Sequence, residues 1–272
     1  SAARGVRDAL AGRAEVRVTD LCAEAMPRMF RLTRAAYLWT ISRMPRLWKL
    51  MYEVSDRRNM AEKPVRGIAP VERLLERLLR EWKPDAVVCT YMVYPYMLDS
   101  LASRTGRAVP YLTVVTDSFV INKSWLCSKS PLWAVTDPWT RAIMEEKGLP
   151  QDRLRVTGFP VNPVLGALAK EHPLSWKEGE PFRVLYFAQR SARHARAELA
   201  GMLDANPALH VTCILGRRFR RIYPRIRDLR ARYGRRLTVR GWTRRVPSYL
   251  AASHVVVGKA GGATVHEVLA RS

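Results

Sequence analysis

Short β-branched runs alternate along the chain with longer stretches whose apolar residues recur at helical spacing. Strand-like runs fall at residues 15–19 (EVRVT), 86–90 (AVVCT), 111–116 (YLTVVT), 132–136 (LWAVT), 154–157, 183–188 (RVLYFA), 210–215 (HVTCIL), 237–240 and 254–258 (HVVVG). Several are apolar throughout, the pattern of parallel strands covered on both faces. Helical periodicity fills the intervals at 71–82, 95–105, 138–147, 192–203, 219–233 and 263–270. This alternation predicts a doubly wound α/β architecture.

The pattern breaks between residues 158 and 179, where GFPVNP is turn-rich and HPLSWKEGEP is polar. Two Rossmann-like domains are therefore expected, over residues 1–160 and 181–272, joined by a linker at 161–180. The first domain opens on a helical run rather than a strand, and the last residues end in a helical run. Both domains are thus expected to be incomplete: the first lacks its opening strand, the second lacks further sheet and helix.

Composition narrows the classes. With 48% hydrophobic residues and 26% charged, a packed core is expected and wholesale disorder is excluded. No run reaches the ~18 apolar residues of a membrane-spanning helix, which excludes a polytopic helical membrane protein. The opening SAARGVRDALAGR has no apolar h-region of a signal peptide. Cys22, Cys89, Cys127 and Cys213 form no C-x-x-C pair, which argues against a zinc cage or disulfide framework and fits a reducing compartment. The charge is the outlier, at +23 with 38 Arg and 9 Lys. Such a chain is drawn to polyanions, whether nucleic acid, anionic lipid or phosphorylated substrates, although Arg-rich solvated faces give the same count.

The densest candidate chemistry is near the carboxyl end, in HVVVGKAGGATVHEVLARS. An apolar strand runs into Gly261-Gly262, which opens a helix carrying Thr264 and Glu267. Glycines permit close approach of a ligand to the main chain, and free N–H groups with the positive dipole end suit a diphosphate. A carboxylate a turn and a half into the helix suits ribose hydroxyls. Neither G-x-G-x-x-G nor the P-loop G-K-[ST] is present. A plain strand–glycine–helix turn with a solvated Glu remains the other reading of these residues.

Further segments lie in a fixed order: TDLCAEAMP with LWKLMYEVSD, KPDAVVCTYMVYPYML, PYLTVVTDSF followed by Trp125, RLRVTGFPVNPVL, VTCILGRR, and VRGWTRRVPSYLAASHVVVGKAGGATVHE. As an ordered set spanning nearly the whole chain, they resemble the inverting GT-B glycosyltransferases of the monogalactosyldiacylglycerol synthase and processive diacylglycerol glycosyltransferase type, relatives of the enzyme that makes lipid II. The resemblance implies a GT-B fold of two Rossmann-like domains and transfer of a hexose from a UDP-sugar to a lipid, diacylglycerol above all. It implies no metal or other cofactor, and a peripheral place on the cytoplasmic face of the plasma membrane. On matching positions, Gly261, Gly262 and Thr264 would hold the diphosphate, Glu267 the ribose, and Gly241-Trp242 would lie beside the uracil. Gly216 and Arg217 would lie near the nucleotide at a strand end. Asp117 would be a catalytic acid at the cleft, with an N-cap or turn Asp as the other reading of that residue, and Gly158 with Pro160 would form the crossover between domains.

The chain also departs from that pattern. The family's general base sits in a glycine-rich loop ending in His, and the resemblance places that loop upstream of Ser1. After the first strand of its carboxyl domain the family usually carries glycines, where this chain has Gln189-Arg190-Ser191-Ala192-Arg193-His194. Gln189, Arg190 and Arg193 are candidates to meet the diphosphate by charge-assisted bonds instead. Asn122 stands where a His is expected between Asp117 and Trp125. A catalytically impaired protein that binds anionic membranes is therefore a second reading.

Residues 26–52, MPRMFRLTRAAYLWTISRMPRLWKLMY, place Arg28, Arg31, Arg34, Arg43, Arg46 and Lys49 on one half of a helical wheel. Met, aromatic and aliphatic residues including Trp48 fall on the other half, Trp39 spoils the polar face, and Pro45 is expected to kink or split the helix. Arg28, Arg31, Trp39, Arg46, Trp48 and Lys49 are candidate contacts to an anionic membrane and its lipid. The 13 arginines of 217–245, interleaved with Phe219, Tyr223 and Tyr233, invite a nucleic-acid reading, but no RRM, KH, zinc-finger or helix-turn-helix pattern accompanies them. The scattered histidines have no metal-ligand spacing, and no G-x-S-x-G elbow supports a hydrolase.

Overall fold

In a computed structural model, which describes residues 2–57, 68–118, 120–171, 175–188 and 192–271 apart from the side chains of residues 42, 45, 48, 52 and 55–57, the apolar runs form short parallel strands in two sheets. The chain divides into two compact units, Ala2–Pro160 and Val161–Ser272. Ser1 lies outside the described residues.

The amino unit opens with α1 (Ala2–Ala9) and α2 (Leu21–Ala25), whose N-terminus is capped by the Asp20 carboxylate accepting from the Ala23 N–H at 3.1 Å. Next come α3 (Pro27–Arg43), α4 (Pro45–Arg57) and α5 (Ala69–Trp82), and then β1 (Val87–Cys89), α6 (Val93–Thr105) and β2 (Tyr111–Val114). The unit closes with β3 (Trp133–Val135), α7 (Pro138–Glu146) and β4 (Leu154–Val156). Proline lies in the first turn of α5, and Val71, Leu74 and Leu75 bury one stripe of it against Cys89, Met97 and Leu98. The strands are ordered β1-β2-β3-β4, all parallel, and a second cluster of Val115, Trp125, Trp133, Met144 and Leu154 fills the far end.

The carboxyl unit runs α8 (Val164–Glu171), β5 (Phe182–Phe187), α9 (Ala192–Ala205), β6 (Leu209–Ile214), α10 (Phe219–Ile222) and α11 (Arg227–Tyr233). It continues with β7 (Leu237–Arg240), α12 (Val246–Ala251), β8 (Val255–Val257) and α13 (Gly262–Leu269). Its parallel sheet is ordered β7-β6-β5-β8. Alternation along β5 sends Val184 and Tyr186 to one face, with α9 and α11, and Leu185 to the other, with α8 and α12. Helices thus cover both faces, as the apolar strands require.

Three expectations are corrected. Residues 15–19 form no strand: Val18 is exposed and no neighbouring strand pairs with the segment, so its main chain lacks a ladder to join. The helix expected over 219–233 is broken into α10, a 3-10 turn at Tyr223–Arg225 and α11, because Pro224 removes an N–H in the middle of the run. The segment 161–180 is not a bare connector: α8 lies within it, and its Leu165 is buried with Leu185, Ile214 and Leu250. Pro45 splits the basic aromatic segment into α3 and α4, and the α3 helix ends on Met44, whose N–H still reaches the Thr40 carbonyl at 2.8 Å.

Candidate functional site

In a parallel sheet every strand ends on the same edge, so the segments that follow β5, β6, β7 and β8 gather there. Within the carboxyl unit these are Ala188 onward, Gly216-Arg217, Gly241-Trp242 and Gly258 to Gly261. The order β7-β6-β5-β8 also contains a reversal. The chain steps from β5 to β6 to β7, then crosses back to place β8 on the other side of β5. Between β5 and β8 the following segments diverge, leaving the crevice in which α/β sheets receive ligands.

The main chain at that crevice is shaped by glycine. A methyl group built on Gly258 would stand 3.2 Å from Cβ of Phe187, so the main chain leaving β8 runs beside the end of β5 at a distance that a side chain would disturb. At Gly261, the N-cap of α13, a methyl would meet nothing within 4 Å, and no side chain caps the helix. The N–H groups of the first turn therefore face the crevice unclaimed by any capping group. Gly216 takes a left-handed φ of +56°, which a residue with Cβ adopts only at a cost.

Glu267 is half-buried on α13 and has no hydrogen-bond partner among the described residues; burial raises its pKa above the ordinary 4.5. Thr264 is half-buried one turn before it. Trp242 is 59% exposed, with the Arg244 guanidinium 5.7 Å from the ring centroid, so it is a surface ring and not a packing anchor. Arg217 is exposed on the turn after β6, and Arg193 is exposed in the first turn of α9. Gln189 and Arg190 lie outside the described residues. The carboxyl-unit candidates that are described thus share one sheet edge.

On the amino unit, Asp117 follows β2 and is exposed, and its Oδ2 accepts from the indole N–H of the buried Trp125 at 2.8 Å. Part of its role is accordingly structural, since it satisfies a donor in the core. Asn122, where a His is expected, is buried and caps the 3-10 turn Lys123–Leu126 by accepting from the Ser124 N–H at 2.9 Å. Near Asp117 the structure adds residues that sequence reasoning passes over. Tyr91, at the end of β1, packs edge-on against Tyr94 with centroids 5.5 Å apart, and the Tyr94 hydroxyl donates to Asp20 at 3.4 Å. The phenol of Tyr91 is raised, first by burial and then by the charges of Cys22, Asp20, Tyr37 and Asp117. Thr19-Asp20 in the TDLCAEAMP motif was the available signal for this cluster.

The candidate membrane residues lie on α3 and α4. Arg28, Arg31, Arg46 and Lys49 are exposed; the Nε of Arg31 bonds the Pro27 carbonyl at 3.2 Å, and Lys49 lies 3.9 Å from Glu53. Trp48 is on α4, with its side chain outside the described set. Leu32, at 71% exposed, Leu38, Trp39, Met44, Leu47, Leu50 and Met51 are all uncovered. Cation and apolar residue are therefore exposed together on both helices, and no helix among the described residues is long and apolar enough to cross a membrane. Nor do the described residues gather three His, Cys, Asp or Glu in a metal-holding group.

The family model described as monogalactosyldiacylglycerol (MGDG) synthase matches residues 1–161, more than half of the sequence. The chain belongs to this family. A processive diacylglycerol beta-glucosyltransferase of Staphylococcus epidermidis is 26% identical over 259 residues, covering 93% of this chain and 64% of that protein. Its namesake in Bacillus subtilis is 23% identical over 261 residues, covering 94% of this chain and 67% of the relative. The chain thus spans about 64% of the length of the first of these synthase-family relatives. Among solved structures, that of Acinetobacter baumannii MurG matches 75% of this chain and 55% of its own, at 16% identity and a TM-score of 0.47.

Proposed function

We propose that the protein transfers a hexose from a UDP-sugar to a hydroxyl of diacylglycerol, with inversion at the anomeric carbon, at an anionic membrane surface. The observation that carries this reading is the uncapped, glycine-led start of α13 at the reversal of the carboxyl sheet, with the half-buried carboxylate of Glu267 on the same helix. The curated relatives, which act on diacylglycerol by name, support the acceptor class.

In this reading the first-turn N–H groups of α13 receive the diphosphate, with Arg193 and Arg217 adding positive charge. Glu267 accepts from ribose hydroxyls, and Trp242 covers the base. The acceptor oxygen attacks the anomeric carbon from the face opposite the diphosphate. The bond to the diphosphate breaks, UDP departs with the electron pair, and the hydroxyl proton passes to a base. Asp117 orients the acceptor or that base. Helix-end amides and arginines meet the charge that grows on the leaving diphosphate, so the scheme requires no metal. The exposed apolar and basic residues of α3 and α4 hold the protein against anionic lipid, from which the acceptor is drawn.

Calorimetry with UDP, followed by transfer from radiolabelled UDP-glucose and UDP-galactose to vesicles containing diacylglycerol, tests the proposal. Saturable UDP binding and a glycolipid of inverted configuration by NMR are expected. Vesicle binding without UDP binding would overturn it in favour of a non-catalytic membrane-binding protein, the reading that the exposed α3 and α4 favour independently.

A further inference from the structure

The outer side of β7 has its own chemistry, distant in purpose from any sugar transfer. β7 ends the sheet, and no described strand pairs with its outer side. The Arg240 carbonyl accepts from the Leu215 N–H at 2.9 Å, which turns the main chain of Arg240 and Thr238 toward β6. By the alternation of a strand, the N–H and C=O groups of Leu237 and Val239 point outward.

Along this edge runs a groove of about 430 Å³, lined by Arg230, Gly234, Arg235 and the β7 residues up to Arg240. It contains no carboxylate. Arg230, Arg235 and Arg240 are exposed, and none has a side-chain hydrogen bond or ion pair among the described residues. The neighbouring acids are engaged elsewhere, Asp228 with Arg196 at 2.6 Å and Asp204 with Arg232 at 3.0 Å. The wall is also fixed. Arg236 turns inward and donates to the carbonyls of Leu203, Asn206 and Leu209 at 2.6, 2.7 and 3.2 Å, a turn that Gly234 enables with φ +54°.

Charge on an edge strand ordinarily deters edge-to-edge pairing, and three like charges repel a second copy of this chain. They do not repel an acidic strand. The outward carbonyls of Leu237 and Val239 decide between ligands. A phosphate would meet the arginines but face two acceptors, whereas an extended peptide supplies both N–H and C=O to the edge. We propose that the β7 edge binds an extended acidic segment of a partner protein by strand addition, its carboxylates meeting Arg230, Arg235 and Arg240. This is independent of the transferase reading.

Fluorescence anisotropy with a labelled eight-residue peptide alternating aspartate and valine tests the proposal. Saturable binding that weakens with salt is expected, and R230E/R235E/R240E should reduce affinity by about tenfold, as three exposed ion pairs allow. Val239→Pro removes an outward N–H without breaking the ladder to β6, so it should weaken binding severalfold with an unchanged circular dichroism spectrum. Where that variant does not fold, the same peptide with alternate amides N-methylated is compared on the unaltered protein and should not bind. Equal binding of the N-methylated peptide, or full retention of affinity in the triple variant, would overturn the proposal. So would inorganic polyphosphate or anionic vesicles binding the groove in an Arg-dependent way while the peptide does not.

Discussion

The two sheets of this protein are built from the same kind of strand and differ in one topological step. In the amino unit the order is β1-β2-β3-β4, each strand laid beside the last. In the carboxyl unit the order is β7-β6-β5-β8, so the chain reverses direction across the sheet. Only the second arrangement opens a crevice between adjacent strand ends, and there the glycines, the uncapped helix and the half-buried Glu267 come together. The first sheet advances without a gap, and its candidate groups sit instead beside helices that lie in front of it, around Asp117, Tyr91 and Asp20. One unit presents main chain exposed by topology; the other presents side chains and an apolar helical surface. The carboxyl site should thus be sensitive to added volume, and the amino surface to lost hydrophobicity.

The largest expected effect follows from adding volume where the protein itself has room. A Cβ at Gly261 meets nothing within 4 Å, and its φ of −93° suits any residue, so Gly261→Val should fold normally. It should lower kcat/KM for the UDP-sugar on the order of 100-fold, the scale of losing main-chain donors to a developing anion. Thermal melting with and without UDP checks both halves, and a normal UDP-induced shift in this variant would break the contrast between the units.

On the amino side, Trp39→Ser with Leu50→Ser removes two exposed apolar side chains. Flotation on anionic vesicles should weaken by roughly tenfold or more, given ~25 cal/mol per Å² of apolar area, with no change in melting temperature. UDP affinity should be untouched.

Backbone geometry gives the next effect. Gly258→Ala forces a methyl to 3.2 Å from Phe187, and Gly216→Ala places a Cβ on a left-handed φ of +56°. Each should cost about 1 kcal/mol of stability in chemical denaturation. A cost confined to Gly216→Ala would show that β5 yields under β8, and that the crevice is softer than its packing implies.

The smallest effect concerns pH. Burial raises the Glu267 pKa above 4.5, so the folded protein holds that proton more tightly than the unfolded chain. Stability should therefore fall as pH rises from the ordinary carboxylate value to the raised one, then level off. Glu267→Gln should flatten that slope in urea titrations that start at the ordinary carboxylate value, roughly 4.3, and proceed to higher pH. Over the same interval UDP affinity should climb in the parent protein as the acceptor ionises, and stay level in the variant.

Much of this was present in the order of residues. Apolar runs four to six residues long pointed to parallel strands, and the helical periodicity at 138–147 pointed to the helix that the structure starts at Pro138. The GKAGGATVHE segment named its own helix and its own carboxylate. Other features were out of reach of pattern alone. EVRVT has the alternation of a strand but no neighbour to bond with, and periodicity cannot report a missing partner. Asp117 reads as a cleft acid, yet one of its oxygens serves the Trp125 indole at 2.8 Å, a contact set by how the segment after β2 folds back. The sequence by itself determined most of the strand and helix positions and nominated the residues that could carry chemistry, because propensity and periodicity are local. Tertiary structure alone decided that β8 returns to the far side of β5, that no described strand covers the outer side of β7, and that α3 and α4 keep their apolar side chains uncovered among the described residues. Those outcomes depend on which buried faces find each other, and that is a property of the packed whole.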